Sequence, residues 1–375
     1  MDLVLERFPA DESLRAWDAA DEYLLRHLAE TGVSGEVVIV GDRWGALATE
    51  LAAHRPSQIS DSFLAQAATR ANLEANGRSG VTLLTSRDTP PPRIDVLLVR
   101  VPKSLALLED QLHRLSPGVH AGTRIVGTGM VKEIHTSTLA LFERILGPTR
   151  TSPAVKKARL ILTTADASIP RTPGPWPLTY RLPADAAIVA GRPVVNHAGV
   201  FCADRLDIGT RFLLENLPTM PDASTIVDLG CGNGVVGLAA ALTHPGAGVL
   251  FTDESFQAVA SAEATYRANL EGRPGLAGKA EFRAADALTG LEKGSVDLVL
   301  SNPPFHTHQA TTDAIAWRMF TGARDALRPG GELWVVANRH LGHHTRLRRV
   351  FGNCSLVASN PKFVVLRAVR RQRRR

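Results

Sequence analysis

Two short runs in this chain have residue types and spacing that can do chemistry. The first is Asp228-Leu229-Gly230-Cys231-Gly232-Asn233-Gly234, a D-x-G-x-G-x-G loop. Its glycines let the backbone turn sharply and approach a ligand closely, although a dinucleotide-binding G-x-G-x-x-G loop looks similar. The acids narrow the choice. Asp228 opens the loop, where it would repel a pyrophosphate and attract a cationic amino group. Asp253 closes the next apolar run and is placed to accept from two ribose hydroxyls. Asp286, in Ala284-Ala285-Asp286-Ala287-Leu288, falls where a third strand should end and can accept from an adenine amine. Each acid alone is an ordinary strand-end turn residue. Together, in order, they describe a site for S-adenosylmethionine built from Asp228, Gly230, Cys231, Gly232, Asn233, Gly234, Asp253, Glu254, Asp286 and Ala287. Phe201 is a candidate lid over its methionine end.

The second run is Ser301-Asn302-Pro303-Pro304-Phe305. An amine conjugated to a ring has a delocalised lone pair and is a poor nucleophile. Two acceptors, the Asn302 side-chain oxygen and the Pro303 carbonyl, can hold both its hydrogens. That favours a pyramidal nitrogen with its lone pair aimed at a methyl carbon. Proline fixes φ and brings no donor, so Pro303 and Pro304 hold the carbonyl rigidly. Phe305 offers a flat face for stacking a ring. Methyl transfer at such a site is direct, rests on positioning, and needs neither a covalent intermediate nor a metal. Asn302 also borders the cofactor, and His306 and His308 follow as candidate substrate contacts.

These runs need strands to carry them. Ile226 to Gly230, Val249 to Asp253, Val296 to Ser301, Glu332 to Asn338 and Phe363 to Val369 read as strands. Val235 to Leu242, Phe256 to Leu270 and Ala314 to Leu327 read as helices, with Gly272 a candidate C-cap. Strand–helix alternation implies a mostly parallel, doubly wound α/β sheet, which binds ligands at the carboxyl ends of its strands.

The N-terminal half repeats this order. Val37 to Gly41 echoes Ile226 to Gly230, Ser60 to Phe63 echoes Asp253 to Phe256, and Ile94 to Leu98 echoes Val296 to Leu300. Arg70-Ala71-Asn72-Leu73-Glu74 recurs as Arg267-Ala268-Asn269-Leu270-Glu271, Leu115-Ser116-Pro117-Gly118 echoes Leu327-Arg328-Pro329-Gly330, and Phe142 to Gly147 resembles Arg348 to Gly352. Echoes in conserved order point to a duplicated domain. Five prolines between Pro170 and Pro183 mark a stiff linker, which puts the border near residue 180: domains 1–180 and 181–375.

Composition sets outer limits. Cys202, Cys231 and Cys354 form no CxxC pair, which argues against a zinc site or a disulfide framework and fits a reducing cytoplasm. No apolar run is long enough to span a membrane, and no signal peptide is visible. A net charge of +6 permits a polyanionic partner. The Arg370-Arg371-Gln372-Arg373-Arg374-Arg375 tail suits phosphate contact as well as it suits a solvated end.

The combined motifs resemble the bacterial ribosomal RNA guanine-N2 methyltransferases, whose chains hold two class I methyltransferase domains. The resemblance covers essentially the whole chain. The stretches Asn302 to Arg318, Val336-Ala337-Asn338-Arg339-His340-Leu341, Phe351 to Cys354 and Lys362 to Leu366 look more like the 23S rRNA guanine-1835 branch than the 16S rRNA guanine-1207 branch. The resemblance implies a cytoplasmic, monomeric, pseudo-dimeric enzyme acting on ribosomal RNA, naked or partly assembled, with one silent domain. The N-terminal loop, Gly41-Asp42-Arg43-Trp44-Gly45, lacks the opening acid, and Arg100-Val101-Pro102-Lys103 replaces the Asn-Pro-Pro-Phe run. Arg100 and Lys103 at the former catalytic edge would suit RNA phosphates. The rival readings are a protein glutamine-N5 methyltransferase, a DNA adenine-N6 methyltransferase and a non-enzymatic assembly factor.

Overall fold

A computed structural model of the chain describes residues 3–8, 10, 14–272, 279–303 and 309–372, with the backbone alone for 309–313. The chain forms two compact units, Met1–Trp176 and Pro177–Arg375. Composition put the border near 180. That position falls inside a strand, Leu178–Arg181, that pairs within the second unit, so the units divide just before it.

The first unit runs α1 (Ala19–Thr31), β1 (Val37–Val40), α2 (Ala46–Glu50), β2 (Ser57–Ser60), α3 (Phe63–Ala75), β3 (Thr82–Thr85), β4 (Ile94–Arg100), α4 (Leu105–Leu115), β5 (Val119–Met130), α5 (Thr136–Ile145), β6 (Thr149–Thr151) and β7 (Ala158–Thr164). Its sheet order is β3-β2-β1-β4-β5-β7-β6. The first five strands are parallel, and β7 and β6 close the edge antiparallel. The central strand is Val-Val-Ile-Val and wholly buried, as expected of a parallel strand covered on both faces.

The second unit opens with a hairpin, β8 (Leu178–Arg181) and β9 (Pro193–Asn196). It continues through α6 (Ile208–Leu214), β10 (Thr225–Leu229), α7 (Val235–Thr243), β11 (Gly248–Asp253), α8 (Phe256–Leu270), β12 (Ala280–Ala284), β13 (Val296–Ser301), α9 (Gln309–Ala326), β14 (Leu327–Asn338), α10 (His343–Phe351), β15 (Ser355–Ser359) and β16 (Phe363–Val369). Its sheet, β12-β11-β10-β13-β14-β16-β15, has the same order. Leu298, Leu300, Trp334 and Val336 face one core with α6 and α7, while Val299, Leu333 and Val335 face the other with α9 and α10. This is the doubly wound α/β architecture the alternating pattern implies.

Strand pairing aligns the two units residue by residue and corrects two of the echoes. The pairings equate Val40 with Leu229, Val99 with Ser301 and Arg124 with Glu332. Leu327-Arg328-Pro329-Gly330 therefore corresponds to Val119-His120-Ala121-Gly122, four residues beyond the stretch it resembles. The shared Arg-Ala-Asn-Leu-Glu string is also out of register, by one helical turn. A Cβ on Gly45 would press on Thr69, and one on Gly234 would press on Ala262, so those two are partners. Asn72 then matches Thr265, and each side chain receives a backbone N–H from a preceding segment, that of Glu6 or Val195.

Candidate active site

The site assembles at the carboxyl ends of β10, β11 and β13. The glycine loop is pinned from below, where the Gly230 and Cys231 N–H groups donate to the Thr252 carbonyl at 2.8 and 3.0 Å. Gly234, at φ +78°, starts α7 where a Cβ would lie 2.8 Å from Ala262 Cα. Gly232, at φ +52°, faces the other way, since a Cβ there would meet nothing within 4 Å. The loop is thus packed on one side and open on the side where a ligand would lie.

Two of the acids bond the loop and the helix that follows it. Asp228 is buried, and its carboxyl accepts from the Gly237 N–H at 2.7 Å. Burial, with the Asp253 charge beside it, pushes the Asp228 carboxyl up to about 8. Asp253 accepts from the Gly232 N–H at 3.0 Å and the Ser255 N–H at 3.1 Å. Burial raises its carboxyl too. Two carboxyls held above their usual range would ionise more readily beside an arriving ammonium, which favours the charged form. The donor set and the open loop therefore fit S-adenosylmethionine.

The other candidates around the loop are less uniform. The third strand ends at Ala284, two residues before Asp286. The Asp286 carboxylate lies 3.2 Å from Arg318 Nε, an ion pair by distance without hydrogen-bond alignment. Any adenine amine would share it with that guanidinium. Ala287 sits at φ +49°, and its carbonyl accepts from the Thr252 hydroxyl at 3.3 Å. The Asn233 side chain turns away to donate to Asn196 Oδ1 at 3.0 Å, tying the loop to β9. Cys231 is buried, and burial pushes its thiol well up. Glu254 is exposed. Phe201 is 54% exposed, on the turn before α6.

Asn302 follows the last residue of β13, whose Ser301 hydroxyl ties back to the Leu229 carbonyl at 2.8 Å. The Asn302 amide nitrogen donates to Asp207 Oδ2 at 3.0 Å and to Thr210 Oγ1 at 2.9 Å. Its oxygen, Oδ1, is shielded from water and accepts from no donor among the described residues. Such an atom carries a desolvation cost of about 1–3 kcal/mol unless something pairs with it. Pro303 is buried beside it. Pro304, Phe305, His306 and His308 lie outside the described residues. Sequence reasoning placed Asp207 and Thr210 only within a segment, upstream of the first strand of this half, that could close over the methionine end of the cofactor. The signal available was the D-x-x-T spacing at a helix start.

The same positions in the first unit carry other residues. The register sets Ile39 against Asp228, Ser60 against Asp253, Arg87 against Asp286 and Arg100 against Asn302. Arg100 does not offer itself to phosphate as its sequence position suggested. It is 1% exposed and enclosed by three carboxylates: Asp18, which its Nη2 reaches, Asp21 Oδ1 at 3.3 Å and Glu133 Oε2 at 3.1 Å. Arg43, standing where Gly232 stands in the other loop, bonds Glu133 at 2.9 Å. Burial opposes it, but the Arg43 bond and the nearby Arg100 charge bring the Glu133 carboxyl down to about 2. An internal salt cluster thus surrounds the residue at the register place of Asn302. Lys103 alone of that run is exposed.

Comparison with known proteins agrees with this anatomy. The family described as RLMG N-terminal domain matches residues 1–167, and that described as Methyltransferase small domain matches 191–367. Ribosomal RNA large subunit methyltransferase G of Streptomyces avermitilis is 69% identical over 98% of this chain and 97% of its own. Its counterpart in Streptomyces coelicolor is 69% identical over 98% of each chain. A solved structure, the T. thermophilus 16S rRNA N2 G1207 methyltransferase in complex with AdoMet and guanosine, matches with a TM-score of 0.76 over 98% of this chain and 95% of that one. At 22% identity it speaks for the fold alone.

Proposed function

This chain belongs to the ribosomal RNA large subunit methyltransferase G family, and from that premise we propose that its second unit transfers a methyl group from S-adenosylmethionine to the exocyclic N2 amine of a guanine in 23S ribosomal RNA. The observation that carries the reading is the unpaired, water-shielded Oδ1 of Asn302 at the carboxyl edge of β13. It is an acceptor waiting for a donor, and the guanine amine supplies two N–H groups.

S-adenosylmethionine, when bound, supplies an electrophilic methyl on a sulfonium. The chain's own residues do the rest. Asp228 and Asp253 hold the ammonium and ribose ends, and the open face of Gly232 admits the ligand. Asn302 Oδ1 and the Pro303 carbonyl take the two amine hydrogens and turn the nitrogen lone pair outward. Burial of that acceptor keeps water from competing for the amine.

The large-subunit substrate is favoured over the 16S alternative by the high identity to the large-subunit relatives. Charge supports an RNA partner. Residues 333–375 hold eleven of the chain's 43 lysines and arginines and no acid, while the remaining 32 face all 37 acids. Three of the eleven lie on α10, at Arg346, Arg348 and Arg349, and five in the terminal run 370–375. Arg348 and Arg349 on α10 are exposed, and Arg349 lies over the half-exposed Trp317 ring at 5.2 Å. Cations beside an aromatic suit RNA phosphates and bases.

The test is incubation of the purified chain with methyl-labelled cofactor and separated 23S rRNA, 16S rRNA, DNA and protein. Label in 23S rRNA as N2-methylguanine is expected. Label in protein or DNA supports the glutamine or adenine alternative, label in 16S rRNA the other ribosomal branch, and cofactor binding without transfer an assembly factor.

A further inference from the structure

We propose that Asp207 and Thr210 are positioning residues for the methyl transfer, acting through Asn302. This rests on the reading of Asn302 as the amine acceptor. A terminal amide can present either its oxygen or its nitrogen to a substrate, and only the oxygen can accept the guanine hydrogens. The two ends differ little in shape, so something must choose between them.

Asp207 makes the choice. It is the N-cap of α6, and its Oδ2 accepts both the Thr210 N–H at 2.8 Å and the Asn302 amide nitrogen at 3.0 Å. A carboxylate has no proton to give, so an Asn302 turned the other way would set its oxygen against that of Asp207. Thr210 Oγ1 accepts the second amide hydrogen at 2.9 Å. With both N–H groups committed, Oδ1 is left to accept, with no donor among the described residues. Donation to an anion also polarises the amide and makes its oxygen a stronger acceptor.

The first unit supports a device rather than an accident. Asp18 is the N-cap of α1 and Asp21 lies three residues on, the spacing of Asp207 and Thr210. Those two grip Arg100, the residue in the place of Asn302. The helix start holds whatever the fourth strand delivers. In the first unit it holds a cation, and an acid replaces the threonine accordingly.

The experiment is single-turnover and steady-state kinetics on 23S rRNA with the full chain, four single variants and the Asp207→Ser, Thr210→Val double variant. Asp207→Ser keeps a good cap but is too short to reach Asn302. Thr210→Val removes only the hydroxyl and leaves the backbone N–H in the cap. Asp207→Asn and Thr210→Ser keep an acceptor at each place. Expected for Asp207→Ser and Thr210→Val are kcat losses of about 10-fold each and about 100-fold together. The KM for RNA, the Kd for S-adenosylmethionine and the melting temperature should hold near wild type. Thr210→Ser should keep most of the rate, and Asp207→Asn should fall between. A double variant with wild-type kcat, or a Thr210→Ser as slow as Thr210→Val, overturns the assignment while leaving Asn302 in its role. A wild-type chain that methylates no rRNA overturns both.

Discussion

Arg100 and Asn302 occupy one register position in two sheets of the same order, and each is held by the aspartate that caps the helix leading into its sheet. One is a cation closed in by three acids. The other is an amide whose oxygen has no partner among the described residues. The two units differ there and at Ile39, Ser60 and Arg87, which stand at the register places of Asp228, Asp253 and Asp286.

The first consequence is stoichiometric. Isothermal titration of the full chain with S-adenosylmethionine should give one site per chain. Asp253→Ala should abolish it, while Ser60→Ala should leave it intact. Two sites per wild-type chain would mean that the first unit binds cofactor despite its salt cluster.

Cofactor binding should also be linked to pH. The free Asp228 carboxyl, raised to about 8, is protonated at neutral pH, and an ammonium beside it favours the ionised form. Binding therefore releases a proton, and affinity should rise by up to about tenfold per pH unit between roughly 6 and 8. Calorimetry in buffers of different ionisation heat reads the proton directly. Buffer-independent heats would place the ammonium elsewhere. The same shift has a stability sign. A carboxyl raised above its unfolded value of 3.8 favours folding at low pH, and that contribution declines as pH rises toward 8.

The salt cluster in the first unit makes a separate prediction. Arg100→Met removes the cation at the centre of the cluster, leaving Asp18 its longer Arg43 contact at 3.6 Å and the buried Asp21 without its ion pair. Breaking such a cluster costs about 3–5 kcal/mol. The loss should be greater at pH 7 than near pH 4, where the freed carboxyls protonate. In the intact protein the sign for Glu133 is the reverse. Its depressed value of about 2 gives a contribution present above its ordinary 4.5 and lost as pH falls through 2. Denaturant melts at the two pH values check both.

The basic face of α10 should act through phosphate. Arg348→Gln with Arg349→Gln should weaken rRNA binding and lower the slope of log affinity against log salt by about 1 per lost cation. S-adenosylmethionine affinity should hold. An unchanged slope would take this helix out of the interface.

Much of this was legible in the residues. Strands β13 and β16 and helix α8 coincide with the runs expected for them, because fully buried parallel strands and strong caps such as Ser255 leave clear patterns. The edges were not legible. Ser355–Ser359 is an exposed edge strand without alternation, and α10 reads as a charge run whose inward His343, Leu347 and Phe351 are spaced too sparsely to announce a helix. The repeat was found in the right order but partly on the wrong letters. Identity of Arg-Ala-Asn-Leu-Glu outweighed the one-turn shift that only the glycine contacts expose. At the site, the motifs picked out Asp228, Asp253 and Asn302, which the fold brings to the ends of neighbouring strands. They gave Arg100 a surface role because its three acids come from positions 18, 21 and 133, which only the fold brings together.

The central claim is that Asn302 of this chain carries methyl transfer to a 23S rRNA guanine. Its most direct test is mass mapping of 23S rRNA from a deletion strain complemented with the wild-type gene or with Asn302→Ala. The account predicts one N2-methylguanine restored by the wild type and absent with Asn302→Ala, with cofactor binding by the purified variant largely retained. Full modification in the Asn302→Ala strain, or no change in 23S rRNA on deletion, would contradict it.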